Sequence, residues 1–246
     1  MQPETISQLL KLNHQFYQTF AEHFSATRQQ LQPGVVKVSE TLPHKARLLD
    51  IGCGNGLLAA HLYRNGHTGP YTGIDTSSNL VEIARSLEIP IAQFHTADLA
   101  DPGWAADLPD GGFDYIFCFA VMHHLPGEKL RLDLLEQVNR LLSPDGRFIL
   151  SNWQFLNSDR LRERIEPWET LGLSSSQVDH HDYLIDWRRG GHGLRYVHFF
   201  TNPELHNLAD KAGLAVSGIF TSDGENGKLG LYHIWEHAPN NGTVPK

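Results

Sequence analysis

The stretch Leu48-Leu49-Asp50-Ile51-Gly52-Cys53-Gly54-Asn55-Gly56 decides the fold of this 246-residue chain. It begins as a short apolar run, continues as a turn with a glycine at every second position, and leads into Leu57-Leu58-Ala59-Ala60. Glycine lets the backbone approach a ligand where any Cβ would collide with it, and a helix start offers amides to that ligand. The stretch therefore predicts a buried strand, a ligand-binding turn and a helix. Asp50, just before the turn, favours a ligand that carries an ammonium or sulfonium group.

Two phosphate-binding turns are excluded by spacing. The dinucleotide fingerprint needs a third glycine three positions after the second, and Leu57 stands there. A P-loop needs Gly-Lys-Ser/Thr after the turn, and that sequence is absent. For the stretch taken alone, a glycine-rich turn that binds no ligand remains the alternative.

Composition predicts a cytoplasmic protein with one large α/β domain, or one domain with a modest insertion. Hydrophobic residues make up 40% of the chain, which is enough for a normal core. No run approaches the roughly 18 apolar residues of a membrane span, so we expect no membrane association. The polar N-terminus lacks a signal pattern, and two cysteines do not indicate a disulfide framework.

Charge and histidine content limit the partners. The net charge of −8 argues against a surface that binds nucleic acid over its whole extent, so we expect no DNA substrate, although a local basic patch stays open. The 15 histidines are scattered and show no HExxH or paired CxxC spacing, so no metal site is predicted.

From residue 46 onward, strand and helix patterns alternate. Strands are predicted at 47–51, 71–75, 91–96, 113–119 and 147–153, with helices at 56–65, 77–87 and 128–142. This order is typical of a Rossmann-like α/β sandwich with a mostly parallel sheet. Before it, helical periodicity covers residues 5–28 and 35–42. We expect residues 1–45 to form an N-terminal helical lid, the alternative being a helix at the edge of the domain, and residues 46–246 to form the main domain.

Three acids are predicted at one edge of the sheet, because Asp50, Asp75 and Asp98 each end a different parallel strand. Asp75 lies about 20 residues past the glycine turn, where an acid accepts hydrogen bonds from both hydroxyls of a ribose. Its alternative role is that of an acid stabilised by a helix start. Asp98 suits the exocyclic amine of a purine, or is simply a solvated turn acid.

The glycine turn, Asp75, Ala97-Asp98-Leu99 and the segment from Phe113-Asp114 to His123-His124-Leu125 resemble the class I S-adenosylmethionine-dependent methyltransferases. The resemblance covers about residues 46–153. It implies S-adenosyl-L-methionine as cofactor and a seven-stranded sheet whose last strand is antiparallel. The tail, with a helix at 202–212 and strands at 214–221 and 231–237, fits that sheet. The residues implied in cofactor binding are Asp50, Gly52, Cys53, Gly54, Gly56, Asp75, Thr76, Asp98, Leu99 and Phe119.

Two flanking segments resemble a narrower family, the tRNA wobble-uridine methyltransferases that make the methyl ester of 5-carboxymethyluridine. The first runs from Asn13 and Phe16-Tyr17 through Phe24-Ser25-Ala26-Thr27-Arg28 to Gln32-Pro33, and the second is Arg195-Tyr196-Val197-His198-Phe199-Phe200 with Glu204-Leu205. The chain departs from that family at Gln32, where a tryptophan is usual, and at Val197, where a tyrosine is usual. The resemblance implies a tRNA anticodon loop as substrate, and a small activator subunit as a partner of the eukaryotic members.

Residues 154–200 are far longer than a usual connection of roughly 2–6 residues, and we expect them to cap the substrate site. Arginines and aromatics alternate there, which suits phosphates and an unpaired base. At Arg160, Arg162 and Arg164 the alternative is a solvated helix paired with nearby glutamates. For Arg188, Arg189 and Arg195 a functional role is favoured.

The expected chemistry is methyl esterification of a carboxylate, which is ionised at pH 7 and needs orientation rather than a base. Arg195 and Arg28 are the candidates to hold that carboxylate, with Tyr17 and His198 as hydrogen-bonding neighbours. Two other functions stay open. One is methylation of a small metabolite such as a carboxylic acid or quinone, with His123 or His124 as base where the acceptor needs one. The other is a non-catalytic protein that binds the cofactor.

Overall fold

A seven-stranded sheet forms the centre of the computed structural model, which describes residues 1–21, 26, 30–188 and 190–239. Its strands are β1 (Leu48–Ile51), β2 (Tyr71–Asp75), β3 (Ala92–Thr96), β4 (Phe113–Phe119), β5 (Leu142–Trp153), β9 (Leu214–Ser222) and β10 (Gly230–His237). Their order is β3-β2-β1-β4-β5-β10-β9. Strands β1 to β5 are parallel, and β10 is antiparallel to both β5 and β9. The predicted Rossmann-like sheet with an antiparallel last strand is confirmed.

Helices cover both faces of this sheet. They are α1 (Pro3–Thr19), α2 (Pro33–Ser39), α3 (Leu57–Arg64), α4 (Ser78–Arg85), α5 (Glu128–Leu141), α6 (Asp159–Arg162) and α7 (Asn202–Lys211). Side chains of a strand alternate between faces, so Phe148 and Leu150 pack in one core with α5 and α7 while Ile149 packs in the other with α2, α3 and α4. None of the helices in the described part is long and apolar enough to cross a membrane.

Two predicted boundaries differ from the structure. Helix α1 begins at Pro3, a favoured first helical residue, and ends at Thr19. Phe20 is a turn residue, Ala21 and Ala26 are again helical, and the rest of the predicted helical stretch, residues 22–25 and 27–28, lies outside the described residues. Strand β5 begins at Leu142, five residues earlier than predicted. Phe113 pairs with Leu142 whereas Tyr115 pairs with Arg147, so the residues between them bulge out of the ladder. The turn residues at 143–146 thus interrupt the strand instead of preceding it.

The connection at 154–200 contains a second sheet that the sequence pattern did not predict. Strands β6 (Ile165–Glu166), β7 (Asp182–Trp187) and β8 (Gly193–His198) are antiparallel, in the order β6-β7-β8. Helix α1 is bonded to this sheet through Asn13. Its amide nitrogen donates to the carbonyl of Tyr196 (3.1 Å), and the Tyr196 amide donates back to Asn13 Oδ1 (2.9 Å). The N-terminal helix and the small sheet therefore pack together.

Candidate active site

The carboxyl ends of β1, β2, β4 and β5 open into one large cavity, whose other walls are helix α1 and the small sheet. Its volume is about 1170 Å³, above the roughly 300–1,000 Å³ of an ordinary ligand site. It therefore has room for a cofactor and part of a second substrate. Most of the predicted cofactor residues line it: Asp50, Gly52, Cys53, Gly54, Asp75, Thr76, Asp98, Leu99 and Phe119.

The three glycines of the turn serve different purposes. All have positive φ angles, +78° at Gly52, +54° at Gly54 and +75° at Gly56. A Cβ on Gly52 would collide with Val121, and one on Gly56 would collide with Ala84. A Cβ on Gly54 would have no atom of the described residues within 4 Å. Gly54 therefore faces the open cavity, whereas Gly56 does not line it and is required by packing.

The backbone amides of the turn are bonded to β2 rather than aimed at a ligand. The amides of Gly52 and Cys53 both donate to the carbonyl of Ile74, at 2.7 and 2.9 Å. The Gly54 amide donates to Asp75 Oδ2 (2.9 Å), and the Ser77 amide donates to Asp75 Oδ1 (2.8 Å). Each carboxylate oxygen can accept a second hydrogen bond, so Asp75 is positioned by the turn and still able to bind hydroxyl groups.

Asp50 is a buried carboxyl at the end of β1. Burial raises its pKa to about 7; the hydrogen bond donated by the Tyr71 hydroxyl opposes this rise, and the charge of Asp75 adds to it. Burial also raises the pKa of Asp75, against the hydrogen bonds that its backbone neighbours donate. Two buried acids beside the glycine turn lower their energy when a cation binds next to them. This electrostatic setting suits a positively charged ligand.

The remaining cofactor candidates lie at the rim and at the end of β4. Asp98 is exposed and accepts from the amide of Ala100 (3.0 Å), so both alternatives for it stay open. Phe119 ends β4 and is followed by Ala120, a non-glycine residue with a φ of +57°. The amide of Ala120 is held by the carbonyl (2.9 Å) and hydroxyl (3.1 Å) of Ser151. Such strained backbone is found preferentially at functional sites.

Arg195 lines the same cavity as the glycine turn and is only 6% exposed. Its guanidinium lies 4.9 Å from the ring of Phe16, 5.3 Å from Trp153 and 5.2 Å from Trp187. Within the described ranges, Nε has no hydrogen-bond partner and the side chain has no ion-pair partner. Aromatic faces stabilise a cation only modestly, by about 1–2 kcal/mol. A buried, uncompensated guanidinium is therefore a receptor for an anion that enters the cavity.

Tyr17 and His124 form a second polar contact in the cavity wall. The Tyr17 hydroxyl is 2.7 Å from His124 Nε2, and His124 Nδ1 is 3.1 Å from the carbonyl of Tyr196. A carbonyl only accepts, so Nδ1 carries the proton of a neutral ring, Nε2 accepts, and Tyr17 donates. His123 Nδ1 accepts from the amide of Trp153 (3.4 Å). Both histidines thus hold the loop in shape, which weakens the interpretation of either as a base.

The structure does not bring His198 to the cavity. Its ring lies in a buried network, with Nδ1 at 2.6 Å from Asp182 Oδ1 and Nε2 at 2.7 Å from Glu204 Oε1. The Tyr196 hydroxyl donates to the same Asp182 oxygen (2.7 Å) and accepts from Arg131 (3.0 Å). The expectation that His198 contacts the substrate is therefore corrected to a structural role.

The other predicted arginines divide into three groups. Arg160 and Arg164 line the cavity, and Arg162 forms an ion pair with Asp159 rather than with a glutamate. Arg188 pairs with Asp186 and does not line the cavity, which argues against the favoured functional role. Arg28 and Arg189 lie outside the described residues, so their predicted roles stay predictions.

Sequence reasoning missed four buried polar residues, two that line the cavity and two in the network around His198. One of them left a signal: Arg131 stands three, four and seven residues before Leu134, Leu135 and Val138, on the buried stripe of α5. An arginine among the buried positions of a helix indicates a buried charge that has hydrogen-bond or ion-pair partners. The other missed residues are Asn13, Asn152 and Asp182, which are all buried.

The site and the sheet together define the class. A glycine turn after β1, an acid at the end of β2 and an antiparallel last strand describe a nucleoside-binding domain of the Rossmann-like type. The chain belongs to the methyltransferase-domain family, whose model matches residues 21–217, and it is a methyltransferase.

Two relatives make the comparison more specific. The chain is 29% identical over 215 residues to the tRNA (carboxymethyluridine(34)-5-O)-methyltransferase of Schizosaccharomyces pombe, covering 81% of this chain and 87% of that protein. It is 34% identical over 143 residues to the mouse tRNA (carboxymethyluridine(34)-5-O)-methyltransferase ALKBH8, covering 57% of this chain. The matched part is 19% of the mouse protein, so the chain spans about a fifth of the length of that relative.

Two solved structures share the fold. The DhpI-SAM-HEP complex superposes with a TM-score of 0.67 at 18% identity, covering 93% of this chain and 97% of that one. A complex between the Haloferax volcanii Trm112 methyltransferase activator and a putative methyltransferase gives a TM-score of 0.66 at 15% identity, covering 92% and 98%. At such identities the likeness shows the fold alone.

Proposed function

We propose that this chain is an S-adenosylmethionine-dependent methyltransferase that methyl-esterifies a carboxymethyl group on the wobble uridine of tRNA. The observation that carries the proposal is Arg195, a buried cation without a carboxylate partner among the described residues, in the cavity that also holds the glycine turn. The similarity to the fission-yeast and mouse tRNA (carboxymethyluridine(34)-5-O)-methyltransferases supports the same substrate.

The residues around the turn fit the cofactor. Gly54 leaves open space where a side chain would intrude, and the buried acid Asp50 favours a cationic ligand. Asp75, oriented by two backbone amides, would hold the ribose hydroxyls, while Asp98 and Leu99 would lie against the adenine. The cofactor, when bound, supplies an electrophilic methyl group.

At the acceptor end, the work of the protein is orientation. A carboxylate is ionised at pH 7, so no base is needed, and the guanidinium of Arg195 offers a planar set of donors that can hold it at two points. His124, whose Nε2 is hydrogen-bonded to Tyr17, forms part of the cavity wall, and esterification of a carboxylate does not require it to remove a proton. Alignment of two bound substrates supplies a large part of the rate in such reactions.

We further propose that residues 1–45 act as a lid and residues 154–200 as a substrate cap. Support comes from the cavity walls, since helix α1 contributes Tyr17 and the cap contributes Arg160, Arg164 and Arg195. Arg160 in α6 and Arg164 just after this helix both line the cavity, and they are suited to bind tRNA phosphates. A small activator subunit is supported only by the likeness to a methyltransferase solved with one, and it remains a proposal.

The test is a methylation assay with purified protein, labelled S-adenosylmethionine and tRNA that carries 5-carboxymethyluridine at position 34. An alkali-labile methyl ester at that nucleoside is expected, and tRNA with unmodified uridine serves as the control. The rate is expected to fall as salt rises, because phosphate contacts release counterions. Esterification of the free nucleoside or of small acids but not of the tRNA, with or without an activator subunit, would contradict the proposal.

A further inference from the structure

We propose that Asn152 determines substrate specificity by binding the imide edge of the target base, where a carbonyl stands beside a ring N–H. This inference rests on the proposed function and names the part of the acceptor that one side chain recognises. Asn152 lies near the end of β5 and lines the cavity.

The observation is a buried amide without partners. Asn152 is 1% exposed, and neither Nδ2 nor Oδ1 has a hydrogen-bond partner within the described ranges. Burying a polar group without a partner is unfavourable, and native proteins rarely leave both groups of a buried amide unpaired. Since Asn152 borders a cavity that takes substrates, a bound ligand is the natural partner for both atoms.

The other buried side-chain amides in the described part of the chain have hydrogen-bond partners, which makes Asn152 an exception there. Asn13, 6% exposed, donates to the carbonyls of His124 (3.2 Å) and Tyr196 (3.1 Å) and accepts from the Tyr196 amide (2.9 Å). Gln154, two residues beyond Asn152, donates to the carbonyl of Phe200 (3.1 Å). Buried amide side chains near the cavity that stabilise the fold therefore have hydrogen-bond partners within the protein.

Asn152 lies between the two ends of the proposed reaction site. The preceding residue, Ser151, is paired with Phe119 and holds the amide of Ala120 at the end of β4. The following residue, Trp153, carries the ring that lies 5.3 Å from the guanidinium of Arg195. Asn152, Trp153 and Arg195 all line the same cavity, so a base bound there with its reactive carboxylate at Arg195 can present another edge to Asn152.

The chemistry of the amide selects the class of ligand. A primary amide offers one donor beside one acceptor, which complements a ring carbonyl beside a ring N–H. In a uracil substituted at C5, the C4 carbonyl is next to the substituted carbon, and the N3–H is next to that carbonyl. Arg195 and Asn152 would then bind the carboxylate and the imide edge of the same base.

The first test combines a change in the protein with a change in the substrate. Anticodon stem-loops are prepared with 5-carboxymethyluridine and with its N3-methyl derivative, and kcat/KM is measured for wild type and Asn152→Ala. Wild type is expected to lose about 10–100-fold on N3-methylation, because a buried group is left unpaired. On the stem-loop with 5-carboxymethyluridine, the kcat/KM of Asn152→Ala is expected to be lower than that of wild type by a similar factor. N3-methylation of the base should then lower the kcat/KM of the variant by less than about threefold.

The outcomes separate the two proposals. If wild type is active and N3-methylation costs the variant as much as it costs wild type, the role of Asn152 is overturned while the proposed function stands. If wild type makes no ester on either stem-loop, the proposed function fails, and the assignment of a uracil edge fails with it.

The second test measures stability without substrate. Replacing an unpaired buried amide by an apolar group of similar shape is neutral or stabilising, so Asn152→Leu should melt at or above the wild-type temperature. Asn13→Leu is the matched control, since it removes three hydrogen bonds and should melt several degrees lower. A comparable fall for Asn152→Leu would show that the amide has a structural partner, and would overturn the inference.

Discussion

The hydroxyl of Tyr17 donates a hydrogen bond of 2.7 Å to Nε2 of His124, and this contact joins helix α1 to the loop after β4. The direction of the bond follows from the other ring nitrogen, which donates to the carbonyl of Tyr196. The first helix of the chain is thereby tied to the wall of the cavity. The orientation of the His124 ring depends on a residue 107 positions earlier in the sequence.

Tyr17→Phe should lower kcat/KM for the acceptor by about tenfold and leave cofactor affinity within about twofold. The phenyl ring keeps the packing, so stability should fall by only about 1 kcal/mol, the worth of one hydrogen bond. Steady-state kinetics and calorimetry measure these quantities. Tyr63→Phe, on the exposed surface of α3, is the control and should change neither. Unchanged kinetics at Tyr17 would show that the bond serves the fold alone.

Replacing Arg195 tests the anion receptor. Arg195→Lys keeps a charge but loses the planar fork and its stacking on three aromatic rings, and Arg195→Met loses the charge as well. Both should lower kcat/KM by about 100-fold, mainly through the acceptor KM, with cofactor affinity unchanged. Arg195→Met should also be as stable as wild type, since removal of an uncompensated buried charge is favourable. Full activity of the lysine variant would mean that charge alone suffices.

Much of the main domain could be predicted from local pattern. Strand β4 matches its prediction at both ends, because its seven residues form a mostly apolar run that follows Gly111-Gly112, as expected of a strand buried on both faces. The small sheet could not be predicted in the same way. Its strand β6 has two residues, and the pairing of Ile185 with Arg195 is a long-range contact that no local periodicity contains.

The sequence predicts the location of site residues most directly when they lie at the carboxyl end of a strand. Asp50, Asp75 and Asp98 lie at the cavity because the carboxyl ends of parallel strands meet at one edge. The error at His198 has a geometric reason. Arg195 and His198 are three residues apart in β8, and an odd separation in a strand puts two side chains on opposite faces. Because local pattern does not predict a strand at Gly193–His198, the sequence alone does not separate the directions of these two side chains.

The pH dependence of stability should reveal Asp50. Its raised pKa, about 7 in the folded protein against about 3.9 unfolded, means that folding favours the protonated form. The stabilisation is complete below the unfolded pKa and is lost as the pH rises through about 7. The melting temperature of wild type relative to Asp50→Asn should therefore fall between pH 5 and pH 8.

The same carboxyl should release a proton when the cationic cofactor binds, because a nearby positive charge favours its ionised form. Titration calorimetry near pH 6.5, in two buffers with different ionisation enthalpies, measures that release. Asp75 also has a raised pKa, and the Asp50→Asn variant separates the two contributions. If the difference in melting temperature between wild type and Asp50→Asn did not change with pH, the raised pKa assigned to Asp50 would be contradicted.

The buried network around His198 should make Arg131 the most costly arginine to remove. Its side chain donates to the carbonyl of Leu125 (3.0 Å) and to the Tyr196 hydroxyl (3.0 Å), and lies 3.4 Å from Glu204. Arg131→Met would remove the positive charge beside Asp182, whose side chain is buried, and beside Glu204, whose side chain is partly exposed. The expected loss is about 3–5 kcal/mol in the free energy of unfolding.

Arg147→Met is the matched control for that loss. Arg147 forms an ion pair with Glu236 at 3.0 Å, but both side chains are about half exposed, and such pairs contribute less than about 1 kcal/mol. Urea denaturation of the two variants measures the difference. Comparable losses would show that the Arg131 network is dispensable to the fold. A loss at Arg131 alone would show that the cap sheet and helix α7 are held together by buried charge, and that His198 belongs to that support.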